Sequence, residues 1–452
     1  MPYKDLRAFL STLRQSGELV DITRPIALQY DVAKALAKNS SVEGPALMFK
    51  DNGTEFPLVA GLYGNRRLAL IAFESTEDTI HDRVAKGIDT PIAPVDFDGP
   101  APCQEIVLTG DDIDLTKLPV PTYSPKDGGP YITAGIVVSE DPDTDVPDIG
   151  NYRFQLHDAH TLGVFSAPNH RFGKNIAKAV ARKVPLHGAI VIGVDPIIAY
   201  SCQVQSGDAT NDWFVAGGLR GEPVELVKAV TSTLKVPAHA EFIIEFVVDS
   251  DDQRVEGPLG EYTGYYTPAS LKPTAKVTAI THRRDAIFQG LLTGKPITEN
   301  HVLKQIPFEV SILRQLRAQF PTISDLSITS SGGVQTYVVI AMAPRYEGEA
   351  RHAILAAMAS NLHPKWVVVV DPDIDIRKSS EVEWAMSFRV KPREDVFVVD
   401  RTATAPLDPY TDGGYSSSVG IDATRPFGVE FPDVSEVPDW RSFDLPEISR
   451  GK

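Results

Sequence analysis

The 452 residues carry 42% hydrophobic and 23% charged side chains, a balance that fits a soluble globular protein and excludes a disordered chain. A formal net charge of −16 excludes nucleic acid as a partner, because phosphate binding takes a basic face. Cys103 and Cys202 lie far apart in no paired motif, which excludes a disulfide framework and a thiolate zinc site and points to a reducing, cytoplasmic compartment.

The length predicts two or three domains of roughly 100–200 residues each. Residues 1–20 have charges interrupting every apolar run, unlike a signal peptide, and no later stretch approaches the ~18 apolar residues of a membrane span. Leu6, Phe9, Leu10 and Leu13 predict a short amphipathic helix that stops at Gly17. The pattern repeats over residues 31–39, and 46–49 and 58–60 read as strands either side of Asp51-Asn52-Gly53. This is an α/β unit, and the proline cluster over residues 90–102 closes it as a first domain, 1–102.

From Gln104 strands dominate, over 106–108, 131–138 and 163–166, with an acidic, proline-bearing loop ending at Arg153 between the last two. A helix over 175–183 and a buried strand over 189–194 follow, then the apolar segment 213–219 and a helix over 225–234. Residues 242–248, 275–283 and 287–293 read as strands, so the region 103–298 is sheet-rich. Val302, Ile306, Val310, Leu313 and Leu316 predict a linker helix over 299–320, about six turns long, in which Pro307 bends or restarts the helix. In 321–452 the segments 333–341, 350–360 and 366–370 alternate strand, helix, strand, which favours a second α/β layer with parallel strands. The stretch after Pro426 reads as an extended arm.

Four patterns carry chemistry. Glu256 and Glu261 flank Gly257-Pro258-Leu259-Gly260, where the backbone must turn, so both acids can face one pocket beside Tyr262, Tyr265 and Tyr266. An apolar wall and a like-charged neighbour both raise a carboxyl pKa, which suits proton transfer; the alternative is a solvated hairpin. Arg153 offers a planar fork for a substrate carboxylate, although a lone arginine is more often a surface ion pair. Pro168-Asn169-His170-Arg171 precedes a helix bearing Lys174, Lys178, Arg182 and Lys183, a candidate phosphate cradle or else a solvated helix face. Glu222, between Gly221 and Pro223, reads as the cap of a following helix or as a ligand for a hard cation. Asp371-Pro372-Asp373-Ile374-Asp375 fails as a calcium loop, with Ile376 and Val382 where glycine and glutamate are needed, and reads as a strand-end turn.

Together these pieces resemble the UbiD family of prenylated-FMN-dependent decarboxylases. The likeness runs nearly end to end, through DLRAFLSTL, APCQE at 101–105, IGNYRFQ, EGPLGEYTGYY and VGIDATRP at 419–426. Arg153, Glu256 and Glu261 match the family's Arg–Glu–Glu triad in type, order and the spacing of the acids. The resemblance implies a mixed α/β, three-domain fold: an N-terminal α/β domain, a central split β-barrel that binds the flavin, and a long helix leading to a C-terminal α/β dimerisation domain at 321–452. It implies prenylated FMN held by Asn151, Tyr152, Arg153, Gln155, Asn169, His170, Arg171, Ser201, Cys202 and Glu222. It also implies a phosphate-bridging Mn²⁺ or Mg²⁺ on Asp148, His170 and Glu222, with K⁺ or Na⁺ nearby. Asp148 stands where the family carries asparagine, and Ser418 where members often carry lysine.

The chemistry so implied is reversible, non-oxidative decarboxylation of an aromatic, heteroaromatic or α,β-unsaturated acid, with the modified flavin as electron sink. Arg153 would hold the carboxylate, Glu256 would position Arg153, and Glu261 would deliver the proton that replaces CO₂. Tyr262, Leu291, Leu292, His301, Tyr410 and Tyr415 are candidate pocket residues; for His301, opening the linker helix, capping or burial is the alternative. A prenyl-flavin synthase supplies the cofactor in this reading, and a homodimer or larger homo-oligomer is expected. Two rivals remain open: a flavin-free metal-dependent decarboxylase or hydrolase using Asp148, His170 and Glu222, and a non-catalytic flavin-binding or assembly protein of the same fold.

Overall fold

The computed structural model describes residues 3–405, 407–411, 413–435, 437–439 and 442–443. The first helix, Leu6–Gln15, is capped by Asp5, whose carboxylate accepts a hydrogen bond from the Ala8 amide at 2.9 Å. It buries Leu6, Phe9, Leu10 and Leu13 as their spacing predicts. The strands Leu19–Ile22, Ala46–Phe49 and Leu58–Ala60 form a sheet with the helix Asp31–Ser40 beside them. Its fourth strand is Phe288–Gln289, parallel to Leu58–Ala60. The predicted strand at 287–293 is therefore two residues long, and it pairs with the N-terminal sheet.

The central domain is a curled nine-stranded sheet whose spine is the pair Phe242–Glu256 and Ser270–His282. Outward from Phe242–Glu256 lie Leu186–Ile192, Ile136–Glu140 and Pro147–Asn151; from Ser270–His282 the sheet continues to Thr161–Val164, Phe154–Asp158 and Tyr131–Ile132. Phe154, Phe172, Phe242 and Phe246 fill its concave core. Along Phe242–Glu256 burial is complete for the first five residues and then gives way, so the far end projects as a ribbon before burying Glu256.

Two further elements differ from the sequence expectation. The acidic loop before Arg153 contains the strand Pro147–Asn151, paired with Ile136–Glu140 in the register Ser139↔Asp148 and Val137↔Gly150. Sheet pairing overrides the poor strand propensity of Asp and Gly there, and it buries Asp148. The segment 225–234 is not a helix: Glu225–Lys228 pairs with Lys235–Pro237 and with Val95–Asp96. The buried Glu245 carboxylate accepts from the Val230 and Thr231 amides at 2.6 and 2.7 Å, which captures the turn between the strands.

The linker helix Glu299–Arg317 runs through Pro307 without ending. It buries Glu299, Gln305 and Glu309 as well as its apolar stripe, because the other domains pack on several of its sides. The C-terminal sheet has the order Ile323–Ile328, Tyr337–Met342, Trp366–Val370, Tyr415–Ala423, Val396–Ala403, with the central three strands parallel. Asp371 and Asp373 at its strand end are held by Arg389 at 2.8 and 2.7 Å, an ion-paired turn. After Pro426 the described residues form no helix or strand, and 444–452 lie outside the described residues. Among the described residues no helix is long and apolar enough to cross a membrane.

Candidate active site

Arg153 lies between two strands consecutive in the chain, Pro147–Asn151 and Phe154–Asp158, which pair with different neighbours towards opposite ends of the sheet. Its guanidinium sits between the two acids. Nε and Nη2 donate to the two Glu256 oxygens at 3.1 and 3.2 Å, Nη1 donates to Glu261, and Nη2 also donates to Thr267 Oγ1 at 3.1 Å. Four of its five N–H groups are thereby used, leaving one on Nη1. The Phe165 ring covers the guanidinium, 4.3 Å from Cζ. Burial works against the charge, but Glu261 and Glu256 outweigh it and hold Arg153 protonated more firmly than usual.

The turn is braced from behind. Gln155 Oε1 accepts from the Gly257 amide at 2.9 Å and from the Tyr131 hydroxyl at 3.1 Å, while its Nε2 donates to the Gly128 carbonyl at 2.7 Å. Gly257 has φ +92°, which favours glycine, and a Cβ there would lie 3.2 Å from Ala269 Cα. A Cβ at Gly163 would lie 2.7 Å from His157 Nε2 and 3.3 Å from Glu256 Cγ, so glycine makes room for both. His157 Nε2 is buried with no hydrogen-bond partner among the described residues.

Glu261 has a second partner in the Tyr262 amide, 3.3 Å from Oε2. Of the three tyrosines expected to line the turn, only Tyr262 is buried; Tyr265 and Tyr266 are exposed. His301 is fully buried: Nδ1 accepts from the Thr298 amide at 3.0 Å and Nε2 donates to the Tyr262 carbonyl at 2.7 Å. Lys304, one turn on, places Nζ 4.4 Å from the centre of the Tyr262 ring. Burial lowers the pKa of Lys304, and Glu261 partly restores it. Leu291 and Leu292 are buried nearby in sequence, whereas Tyr410 and Tyr415 face solvent.

The second cluster gathers around Arg171, the first residue of the helix Arg171–Arg182. Nη1 donates to Asp212 at 2.6 Å, Nη2 to the Pro147 and Thr210 carbonyls at 3.1 Å each, and Nε lies 3.5 Å from Asp148. Asp148 Oδ2 is buried without a hydrogen-bond partner among the described residues; burial pushes this carboxyl up to about 7, with Arg171 opposing the shift and Asp212 adding to it. Glu222 is exposed on the turn after the helix Asp212–Arg220, and the segment it precedes is a strand. The expected set Asp148, His170 and Glu222 is therefore not brought together, and among the described residues no three His, Cys, Asp or Glu side chains converge on a metal position. The acid facing Asp148 across Arg171 is Asp212, whose only sequence signal is its place in the first turn of its helix.

The remaining residues expected to hold a cofactor make contacts within the protein, and the Tyr152 and His170 rings lie 6.2 Å apart beside the same cluster. Asn151 accepts from Gln203 at 2.7 Å; Tyr152 packs on Phe172 with ring centres 5.1 Å apart; Asn169 and His170 are exposed. Ser201 and Cys202 both donate back to the Ile198 carbonyl. Ser418 is buried in the C-terminal sheet, donating to the Pro364 carbonyl at 2.9 Å and bonded to Thr402 at 2.8 Å. The first turn of Arg171–Arg182 has no acidic residue and no side-chain cap, so its amides are open to an anion, and the Ser166 hydroxyl is buried without a hydrogen-bond partner among the described residues. These groups fit a flavin phosphate. Thr267, Phe165, His157 and Lys304 had no signal beyond their nearness to the motifs.

A mixed α/β, three-domain carboxy-lyase is the class that this fold and its relatives define. Sequence models of the N-terminal, Rift-related and C-terminal domains of 3-octaprenyl-4-hydroxybenzoate carboxy-lyase match residues 10–88, 96–296 and 301–423. The chain belongs to the UbiD family. It is similar to the UbiD-class enzyme HmfF from Pelotomaculum thermopropionicum in complex with FMN, at 33% identity over 98% of this chain and 99% of that one, with a TM-score of 0.92. An evolved dimeric form of HmfF in complex with prFMN matches at 32% identity over 98% and 100%, with a TM-score of 0.89. Vanillic acid decarboxylase from Sedimentibacter hydroxybenzoicus, in open form, matches at 29% over 97% and 96%, with a TM-score of 0.88.

Proposed function

We propose that this carboxy-lyase is a cytoplasmic, prenylated-FMN-dependent, reversible decarboxylase of an aromatic, heteroaromatic or α,β-unsaturated acid. The observation that carries the reading is the Arg153 guanidinium held between Glu256 and Glu261 with one N–H to spare. HmfF, a relative along the full length, is seen with FMN and with prFMN, and another relative decarboxylates vanillic acid. When bound, a prenylated flavin supplies the electron sink that loss of CO₂ requires. The open amides of Arg171–Arg182 and the Ser166 hydroxyl would hold its phosphate.

The chain's own residues divide the remaining work. Arg153 attracts the substrate carboxylate with its free N–H and its charge, and the paired Glu256 contacts fix the plane of that fork. Glu261 reaches the same guanidinium from the other side, so its carboxyl lies beside the group that leaves and can pass a proton to the vacated carbon. Mn²⁺ or Mg²⁺ with K⁺ or Na⁺ stays part of the reading, but no step is routed through it, because among the described residues no three His, Cys, Asp or Glu side chains converge. A non-catalytic scaffold has no use for a buried charge triad. The reading includes a homodimer or larger homo-oligomer, a prenyl-flavin synthase as supplier, and domain limits at 1–102, 103–298, 299–320 and 321–452.

Glu261→Gln in cofactor-loaded protein tests the assignment. Flavin absorbance is expected to persist, while CO₂ release and deuterium uptake from a panel of aromatic acids in D₂O stop. Near-normal turnover by that variant would remove Glu261 from the proton path.

A further inference from the structure

Tyr262, next in sequence to Glu261, is tied at every polar atom. Its amide meets Glu261 Oε2 at 3.3 Å, its carbonyl accepts from His301 Nε2 at 2.7 Å, and its hydroxyl donates to Gln335 Oε1 at 3.1 Å. Gln335, in the C-terminal domain between Ile323–Ile328 and Tyr337–Met342, is anchored in turn, its Nε2 donating to the Leu362 carbonyl at 3.1 Å. His301 has no freedom of tautomer: its Nδ1 is the acceptor for the Thr298 amide, so the ring proton sits on Nε2 and points at Tyr262. One residue of the central domain thus receives one hydrogen bond from the linker helix and gives one to the C-terminal domain. Among the described residues the Glu261 carboxylate has two hydrogen-bond donors, Arg153 and the Tyr262 amide, so whatever fixes Tyr262 fixes one of the two.

We propose that Tyr262, His301 and Gln335 are positioning residues for Glu261, which make the placement of its carboxyl depend on the docking of the linker helix and the C-terminal domain. The inference rests on the reading that Glu261 moves the proton, and it extends that reading to three residues in three parts of the chain. The chain of contacts is specific in direction. Each link is a single donor–acceptor pair, so cutting the Tyr262–Gln335 bond from either end removes the same restraint. Packing is untouched in Tyr262→Phe, because the ring stays beneath Lys304.

The test uses the full, cofactor-loaded chain with Tyr262→Phe, Gln335→Ala, the double variant and Glu261→Gln. Amide exchange over residues 259–267 needs no substrate. Each single variant is expected to speed it about fivefold, the size of one neutral hydrogen bond, with the double variant no faster than either. Turnover of the acid that the wild type decarboxylates fastest in an aromatic panel is expected to fall about tenfold in kcat at unchanged KM, again without additivity. Interdomain glue alone would lower the melting temperature and leave exchange in 259–267 and the ratio of kcat to KM as in the wild type; that result overturns the proposal. Glu261→Gln separates the two failures. Should it turn over normally, the proton role itself falls; should it be inactive while Tyr262→Phe and Gln335→Ala match the wild type in exchange and kcat, only the positioning role falls.

Discussion

Arg153 and Glu256 meet through two parallel hydrogen bonds of 3.1 and 3.2 Å in a setting where the carboxylate is only 1% exposed. A fork of this kind fixes the plane of the guanidinium as well as its position, which a point charge does not. Arg153→Lys should therefore lower kcat/KM by at least about a hundredfold, because the ammonium cannot meet Glu256, Glu261 and a substrate carboxylate at once. Glu256→Ala, by leaving a buried cation half-paired, should cost about 3 kcal/mol of stability. Steady-state kinetics and denaturant midpoints check the two effects separately.

Two histidines, His301 buried and His81 half-buried, should give stability slopes of opposite sign. His301 is buried and neutral, its pKa pushed from 6.5 down to about 4 by burial against the weaker pull of the Tyr262 carbonyl. The unfolded chain binds this proton first on acidification, so the stabilising contribution is complete above pH 6.5 and is lost as the pH falls towards 4. His301→Gln should flatten that acid limb, removing up to about 3 kcal/mol of difference between pH 7 and pH 4. Denaturant midpoints of both proteins across that range provide the measurement.

His81 behaves the other way. It sits where three domains meet: Nε2 is 3.0 Å from Glu309 of the linker helix and Nδ1 is 3.3 Å from Asp325 of the C-terminal sheet. Arg66 bonds Glu309 at 3.0 Å, while Arg377 pairs with Asp325 and, at 2.6 Å, with Glu77. Burial opposes the His81 proton, but the bonds to Asp325 and Glu309 outweigh it and raise the pKa above 6.5. Its contribution is therefore full below pH 6.5 and lost as the pH rises through the folded value. His81→Gln should lose stability mainly at pH 6 and differ little from the wild type at pH 9, read again as denaturant midpoints.

Parts of this arrangement are legible in the residues and parts are not, for physical reasons. Leu6, Phe9, Leu10 and Leu13 announce their helix because one face alone meets the core, and Val302 to Leu316 do so for the linker. Arg153, Glu256 and Glu261 stand out by type and motif, but that the guanidinium separates the acids depends on a ribbon end curling back over 103 residues of chain. Leu226, Val227, Val230 and Leu234 have helical spacing, and a distant side chain, Glu245, decides against it. Asp148 looks like a loop acid because its neighbours are poor strand formers. Its burial beside Arg171 and Asp212 follows from long-range pairing that no local pattern records.

Asp148 also allows the sharpest test of charge balance. Arg171 shares one positive charge between Asp212, at 2.6 Å, and Asp148, at 3.5 Å, and Asp148 Oδ2 has no hydrogen-bond donor among the described residues. Burial, with Asp212 adding to it and Arg171 opposing, lifts the Asp148 carboxyl from 3.8 to about 7. With the folded pKa raised, the unfolded chain releases this proton more readily, so the group destabilises the fold progressively as the pH climbs from 3.8 to 7. Asparagine keeps the shape and removes the charge. In cofactor-free protein Asp148→Asn should match the wild type near pH 4 and exceed it by roughly 2–4 kcal/mol at pH 8. Arg171→Met should do the reverse, costing about 3 kcal/mol at pH 8 by leaving Asp212 buried and uncompensated, and adding Asp212→Asn should recover part of that loss. Equal denaturant midpoints for wild type and Asp148→Asn at pH 8 would mean that Arg171 already neutralises both carboxylates.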